Sequence, residues 1–235
     1  AFSGRADICV SPSTGRRKKL LISDMDSTII EQECLDELAD FAGLKAEISA
    51  ITERAMAGEL NFEQALRERV GMLDGLALDT LGTCYRERIT LMPGAETLVA
   101  TMNSVGARCV LVSGGFTYFT ERIAAAAGFH HHQGNTLLND GKVLTGKVGE
   151  PILGREAKLA ALEAEMQSLG LDASQTMAMG DGANDLAMIE AAGLGIAYRA
   201  KPVVTAASDC GISVTDLTAA LYFQGYTDSE IVWKE

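Results

Sequence analysis

Two carboxylates two residues apart, in Asp24-Met25-Asp26-Ser27-Thr28, follow directly on the apolar run Leu20-Leu21-Ile22. Side chains two apart on an extended segment share a direction, so both converge where such a strand ends. Open α/β sheets bind their ligands beyond the carboxyl ends of their strands. At that edge Asp24 is placed to attack as a nucleophile and Asp26 to shuttle a proton. An acidic turn capping a helix that begins near Glu31 would use the same residue types. The chemical reading gains from a second acidic cluster, Gly180-Asp181-Gly182-Ala183-Asn184-Asp185, behind another apolar run, Thr176-Met177-Ala178-Met179.

Two further elements belong at the same edge. Ser113-Gly114-Gly115 follows the run Val110–Val112. A hydroxyl and free backbone N–H groups at such a turn suit an anion, although a plain Gly-Gly loop has the same composition. Asp181, Asn184 and Asp185 are expected to open a helix at offsets of three and four, hence on one face. N-capping would explain Asp181 but not Asp185 as well. Carboxylates and an amide oxygen are hard ligands that suit Mg²⁺. If the anion is a phosphate dianion, two carboxylates beside it repel it, and a cation between Asp24 and Asp181 relieves that repulsion. Lys158, early in the helix after Gly154, is placed by chain order to complete the charge balance, though alone it reads as a solvated helix residue.

The elements that must position these groups alternate along the chain. Short apolar runs at Leu20–Ser23, Cys109–Val112, Thr176–Met179, Leu194–Ala197 and Ile212–Val214 read as buried parallel strands. Helical patterns lie between them, at Gly94–Val105, Thr117–Ala127, Arg155–Leu169 and Asn184–Ala192. This predicts an α/β fold with a parallel sheet covered on both faces. About eighty residues separate Asp26 from Cys109, whereas a βαβ crossover needs little more than a dozen. The excess, with helical spacing such as Leu35, Leu38, Ala39 and Ala42, reads as an inserted helical bundle over residues 33–89. A smaller insertion over 129–153 carries a hairpin signal at Asn139-Asp140-Gly141-Lys142. Residues 19–32 and 90–235 then form the catalytic core. Residues 1–18, with a short strand expected at Ile8-Cys9-Val10 and the basic run Arg16 to Lys19, read as an N-terminal segment left from an upstream domain.

Composition narrows the partners. A net charge of −12 over 235 residues argues against nucleic acid and anionic membrane surfaces, and no apolar run reaches membrane-spanning length. Five scattered cysteines without C-x-x-C spacing favour a reducing cytoplasm over a disulfide framework or zinc site. His130, His131 and His132 are consecutive, so they diverge on any regular backbone, and a solvated loop is expected there.

The set Asp24-x-Asp26-x-Thr28, Ser113, Lys158 and Gly180-Asp181-x-x-Asn184-Asp185 resembles the four motifs of the haloacid dehalogenase superfamily, in its aspartyl-phosphate branch. The fuller wording adds Glu33, Asn61-Phe62-x-x-Ala65-Leu66-x-x-Arg69-Val70 and Val112-Ser113-Gly114-Gly115-Phe116. It is similar to the members of that superfamily that hydrolyse O-phosphoserine, and it runs from about Lys19 to Leu221. The resemblance implies a Rossmann-like core with a helical cap and a Mg²⁺-dependent phosphatase that works through a phospho-aspartate, at the last step of serine biosynthesis. It implies Mg²⁺ held by Asp24, the backbone carbonyl of Asp26, and Asp181, with Asp185 in the same cluster. By the same resemblance, Glu33 faces the substrate ammonium and Arg69 its carboxylate. Ser113, Gly114 and Lys158 hold the phosphoryl group, Asn184 sits near the metal, and Met56 and Phe62 line the cap side. The expected partner is a small phosphorylated amino acid, bound by a monomer or homodimer. Two alternatives stay open from residues alone. One is a phosphotransferase passing the phosphoryl group to an alcohol such as homoserine. The other is a receiver-like signalling module, against which the large insertion after Asp26 argues.

Overall fold

In the computed structural model, residues 6–56 and 59–234 are described. The central strand β1 (Leu20–Ser23) is buried at every position. Leu21 packs on one face of the sheet with Cys109, Leu111 and Met177, while Leu20 and Ile22 pack on the other with Val110, Val112 and Ala178. A strand covered on both faces reads as an unbroken apolar run.

Five more strands complete the sheet: β2 (Arg108–Phe116), β3 (His131–Asn135), β6 (Thr176–Gly180), β7 (Gly195–Tyr198) and β8 (Cys210–Ile212). The order is β3-β2-β1-β6-β7-β8, and all pairings are parallel. A hairpin of β4 (Leu137–Asn139) and β5 (Leu144–Val148) follows β3. The chain builds β1, β2 and β3 outward on one side, then returns to lay β6 on the other side of β1. This places the topological switch point between β1 and β6, where such sheets bind ligands. Ser23 is in register with Leu111 on one side and Met179 on the other. The chains leaving all three central strands therefore emerge at one level.

Four helices, α1 (Cys34–Phe41), α2 (Lys45–Met56), α3 (Phe62–Gly71) and α4 (Leu78–Arg88), lie between β1 and α5 (Ala95–Ser104). Their Leu38, Ile48, Leu66, Val70, Leu81 and Cys84 join the apolar cluster on the Leu21 face. Asn61 and Gln64 cap α3 reciprocally, each side chain accepting the other's backbone N–H. The two ends of this helical layer meet at a bridge between Ile30 and Leu91. Its α3–α4 connection also bonds to the hairpin: Gly75 N donates to Leu144 O, Leu144 N to Leu76 O and Leu78 N to Lys142 O, at 2.8–2.9 Å. The core continues with α6 (Thr117–Ala127), α7 (Arg155–Leu169), α8 (Leu186–Ala191), α9 (Pro202–Ala207) and α10 (Ala219–Phe223). Of these, α7, α8 and α9 supply Leu162, Met188 and Val204 to the face opposite the helical layer.

Three expectations need correction. The histidines do not form a solvated loop: His131 and His132 lie in β3, the outermost strand, which occupies the first part of the expected 129–153 insertion. Their imidazoles go to separate partners, His130 to the Cys109 N–H, His131 to Arg108 and Glu165, and His132 to Thr120. Ile8-Cys9-Val10 pairs with no strand, and Ile8 and Val10 are largely exposed. The helix expected from Asn184 begins at Leu186, so Asp181 to Asn184 form the turn before it.

What holds the N-terminal segment instead is Asp7. Its carboxylate accepts from the backbone N–H groups of Ser213, Val214 and Thr215 and from the Ser213 and Thr215 hydroxyls. Burial pushes this carboxyl up, and the hydrogen bonds outweigh it, holding it at about 2. A depressed carboxylate stabilises the fold above its unfolded value of 3.8, and that stabilisation fades as pH falls from about 4 to about 2. Asp7 is only partly buried, so Asp7→Asn should cost about 1 kcal/mol at pH 7 after allowance for screening. Urea titrations at pH 7 and pH 2.5 check this: the difference between the two proteins at the second should shrink to about a third of that at the first.

Candidate active site

Immediately after β1 the chain turns sharply. Ser27 takes a left-handed backbone, φ 55°, which a serine adopts at some cost. The turn brings Cys34 back so that its N–H donates to Asp26 Oδ1 at 2.9 Å. Asp26 Oδ2 accepts from the Ser113 hydroxyl at 3.2 Å, and Ser113 Oγ in turn accepts from Gly115 N at 2.8 Å. The second acid of the pair is thus held from the start of α1 and from β2.

Asp24 Oδ1 receives the Met25 N–H and the Lys158 ammonium, both at 2.7 Å. Lys158 lies in the first turn of α7 and is 3% exposed. It also reaches Asp185 Oδ1 at 2.5 Å, while Asp185 Oδ2 accepts the N–H groups of Gly182 and Asp181 at 3.0 and 3.2 Å. Those last bonds explain why residues 181–184 form a turn: the Asp185 carboxylate captures amides that a helix would leave for solvent. They also require Gly180, where an added Cβ would lie 2.3 Å from the Asp185 carboxyl carbon.

Carboxylate oxygens of Asp24, Asp181 and Asp185 lie within 4.8 Å of one another. Burial pushes Asp24 well up; Lys158 opposes the rise, and Asp185 and Asp26 add to it. Asp181 is raised by burial and by Asp185, against Lys158 and Lys201. For Lys158 the two carboxylates outweigh desolvation and keep the ammonium charged. Three carboxylates around one ammonium leave negative charge uncompensated in a partly buried site. An all-oxygen donor set with that surplus fits a hard divalent cation.

Asp24, Asp26 and Asp181 line a cavity of about 200 Å³ together with residues of the helical layer, while Lys158 and Asp185 are buried outside its lining. Glu33, Phe62 and Arg69 enter from that layer, and Ser113, Gly114, Asp181 and Asn184 from the strand ends. Arg69 Nε donates to the Ala65 carbonyl at 3.2 Å, and among the described residues no carboxylate lies within 4.0 Å of its guanidinium. Glu33 Oε1 accepts from Ser27 Oγ at 2.7 Å. Met56 ends α2, and its side chain lies outside the described residues. Lys201, also on the cavity wall, went unnoticed in the sequence. Its position just past β7 was the available signal, since it too leaves a strand at the carboxyl edge. Its backbone N–H donates to the Asp181 carbonyl.

The chain belongs to the haloacid dehalogenase-like hydrolase family, whose sequence profile matches residues 21–190. Within that class, a relative named probable phosphoserine phosphatase, from Schizosaccharomyces pombe, is 42% identical over 225 residues, 94% of this chain and 75% of that protein. The phosphoserine phosphatase of Archaeoglobus fulgidus is also 42% identical, over 90% of this chain, which spans 62% of its length. A solved structure described as a phospho-aspartyl intermediate analogue of phosphoserine phosphatase superposes with a TM-score of 0.80 at 39% identity, covering 88% of this chain and 99% of the other.

Burial, then Asp26, raises the Glu33 carboxyl to about 7, with Asp181 adding to the rise and the Ser27 hydroxyl opposing it. Two of those causes are charges that a divalent cation would offset. Carboxyl-detected NMR should therefore find Glu33 titrating near 7 in metal-free protein and lower once Mg²⁺ is added. An unchanged midpoint would separate Glu33 electrostatically from the acidic cluster.

Proposed function

We propose that this protein is a Mg²⁺-dependent phosphatase that hydrolyses O-phosphoserine to serine and phosphate through a phospho-aspartate on Asp24. The observation that carries this reading is a single small cavity with phosphoryl-handling groups on one wall and an acid and a base on the other. Asp24, Ser113 and Gly114 face Glu33 and Arg69 across it, and buried Lys158 is bonded to Asp24. Such a pair matches the ammonium and carboxylate of an amino acid.

Asp24 Oδ1 is engaged by Met25 N–H and Lys158, which leaves Oδ2 to attack phosphorus. The Lys158 ammonium and the Ser113–Gly114 turn hold phosphoryl oxygens and orient the ester in line with that attack. Asp26, pushed up by burial, starts protonated and gives its proton to the departing seryl oxygen. Once ionised, it takes a proton from the water that opens the phospho-aspartate. Asp24 and Asp181 would hold the cation, which supplies neutralisation of the phosphoryl dianion. Asp185 has its oxygens committed to Lys158 and two backbone amides, so it orients those groups. The helices between Cys34 and Arg88 act as a cap that excludes water during attack. Free cysteines among the described residues support a reducing, cytoplasmic setting, and no described helix is long and apolar enough to cross a membrane.

Arg can clamp a carboxylate bidentately, so Arg69→Ala should weaken kcat/KM for phosphoserine by about 2–5 kcal/mol. Hydrolysis of p-nitrophenyl phosphate, which has no carboxylate, should change far less. Phosphate release measured for both substrates gives the ratio. Equal losses would remove the residue-level support for phosphoserine. Phosphate release that falls when homoserine is added would favour transfer over hydrolysis.

The oxygen-only cluster suits octahedral Mg²⁺ at short range, whereas Ca²⁺ takes longer bonds and more ligands. EDTA should abolish turnover and Mg²⁺ restore it. Ca²⁺ should raise the melting temperature without restoring turnover. Equal rates in both ions would contradict the assignment.

A further inference from the structure

The register between β2 and β3 breaks where the site needs it. Val112 faces Gln133 and Phe116 faces Asn135, so Ser113, Gly114 and Gly115 stand opposite Gly134 alone. The extra residues bulge toward the cavity, and the regular ladder is lost over that stretch. Gly134 makes room for the bulge: a Cβ there would lie 3.2 Å from the Gly115 carbonyl and from Thr117 N. A side chain replaces the missing ladder bond. Asn135 Nδ2 donates to the Gly114 carbonyl at 2.8 Å and to the Leu153 carbonyl at 3.1 Å, while Oδ1 accepts from Leu153 N at 2.8 Å. Asn135 is 1% exposed, and the assigned site does not use it.

The Gly114–Gly115 peptide is therefore gripped on both sides, its carbonyl by Asn135 and its N–H by Ser113 Oγ. Because Ser113 Oγ already accepts that N–H, its own proton is directed to Asp26 Oδ2. One oriented chain of hydrogen bonds runs from the base of the hairpin to the acid/base carboxyl. We propose that Asn135 is a positioning residue for the phosphoryl step, fixing the peptide plane of the Ser113–Gly115 turn and the direction of the Ser113 hydroxyl. This rests on the reading of that turn as the phosphoryl site. The alternative is that Asn135 only closes the hairpin stem through Leu153.

Two variants separate these roles. Asn135→Asp keeps the acceptor for Leu153 N–H but turns an oxygen toward the Gly114 carbonyl. Asn135→Leu removes every bond at similar size. Isothermal titration of the Mg²⁺-loaded protein with inorganic phosphate should show at least tenfold weaker binding in both, with kcat/KM reduced in parallel. The melting temperature of Asn135→Asp should fall less than that of Asn135→Leu. Wild-type phosphate affinity and turnover in Asn135→Asp would overturn the proposal. The wild-type enzyme supplies a test that needs no variant to fold: the Asn135 side-chain amide and Gly115 N–H resonances should shift when phosphate is added. If neither moves while Ser113 and Gly114 do, Asn135 is structural only. Phosphate binding without phosphoserine turnover in wild type would count against the substrate assignment and leave the positioning role standing.

Discussion

An ammonium group taken out of water is tolerated only when its lost hydration is replaced by charge and hydrogen bonds. Lys158 is such a group, and most of the site can be traced to it. Its two partners come from different parts of the sequence, Asp24 at the end of β1 and Asp185 at the start of α8. Asp185 can reach it only over Gly180, and it braces the turn that carries Asp181. Lys158 itself arrives because α7 lies across the sheet, with Ala161 and Leu162 packed on the face formed by Leu20, Ile22 and Val110. Apolar packing thus sets the position of the charge, and the charge sets the position of both acidic loops.

The surplus of carboxylate over ammonium gives this edge a second property. With Asp24, Asp26, Asp181 and Glu33 all pushed up by burial, the site is poised to gain from positive charge. On the proposed reading, a divalent ion would satisfy that demand at one end of the cavity and a substrate ammonium at the other. The two ends are built differently: Asp24, Ser113 and Gly114 stand on strand ends within the sheet core, whereas Glu33 stands just before α1 and Arg69 in α3 of the helical layer. On the proposed reading, chemistry common to phosphomonoesters and the recognition of one particular alcohol would thereby be carried by separate layers.

Much of the fold was legible because its strands are covered on both faces. Leu20–Ser23 and Thr176–Met179 announce themselves as continuous apolar runs, and the strand alternation gave the parallel α/β sheet. The strand His131–Asn135 had no such signature. Its residues are polar or glycine, it sits at the sheet edge, and its histidines are satisfied by neighbours distant in sequence. Ile8 and Val10 gave the opposite error, β-prone types at exposed positions beside an aspartate that does the anchoring. Spacing alone made Asp181 to Asp185 look helical, since it could not show that the Asp185 carboxylate binds the preceding amides. Lys201 and Asn135 lay outside every local motif; each matters through what tertiary structure brings beside it.

The helical layer is fastened to the core along two lines, its stem at the Ile30–Leu91 bridge and the α3–α4 connection at the hairpin. Two fastenings define an axis. Rotation about the line joining them keeps both sets of backbone hydrogen bonds, while lifting the layer bodily would break one of them. Phe62, the first residue of α3, rests against Gly114 and Gly154, so displacement of the layer would have to part this contact. A rotation of that kind would carry the Phe62 ring away from Ser113–Gly115 and so open the cavity that they line together.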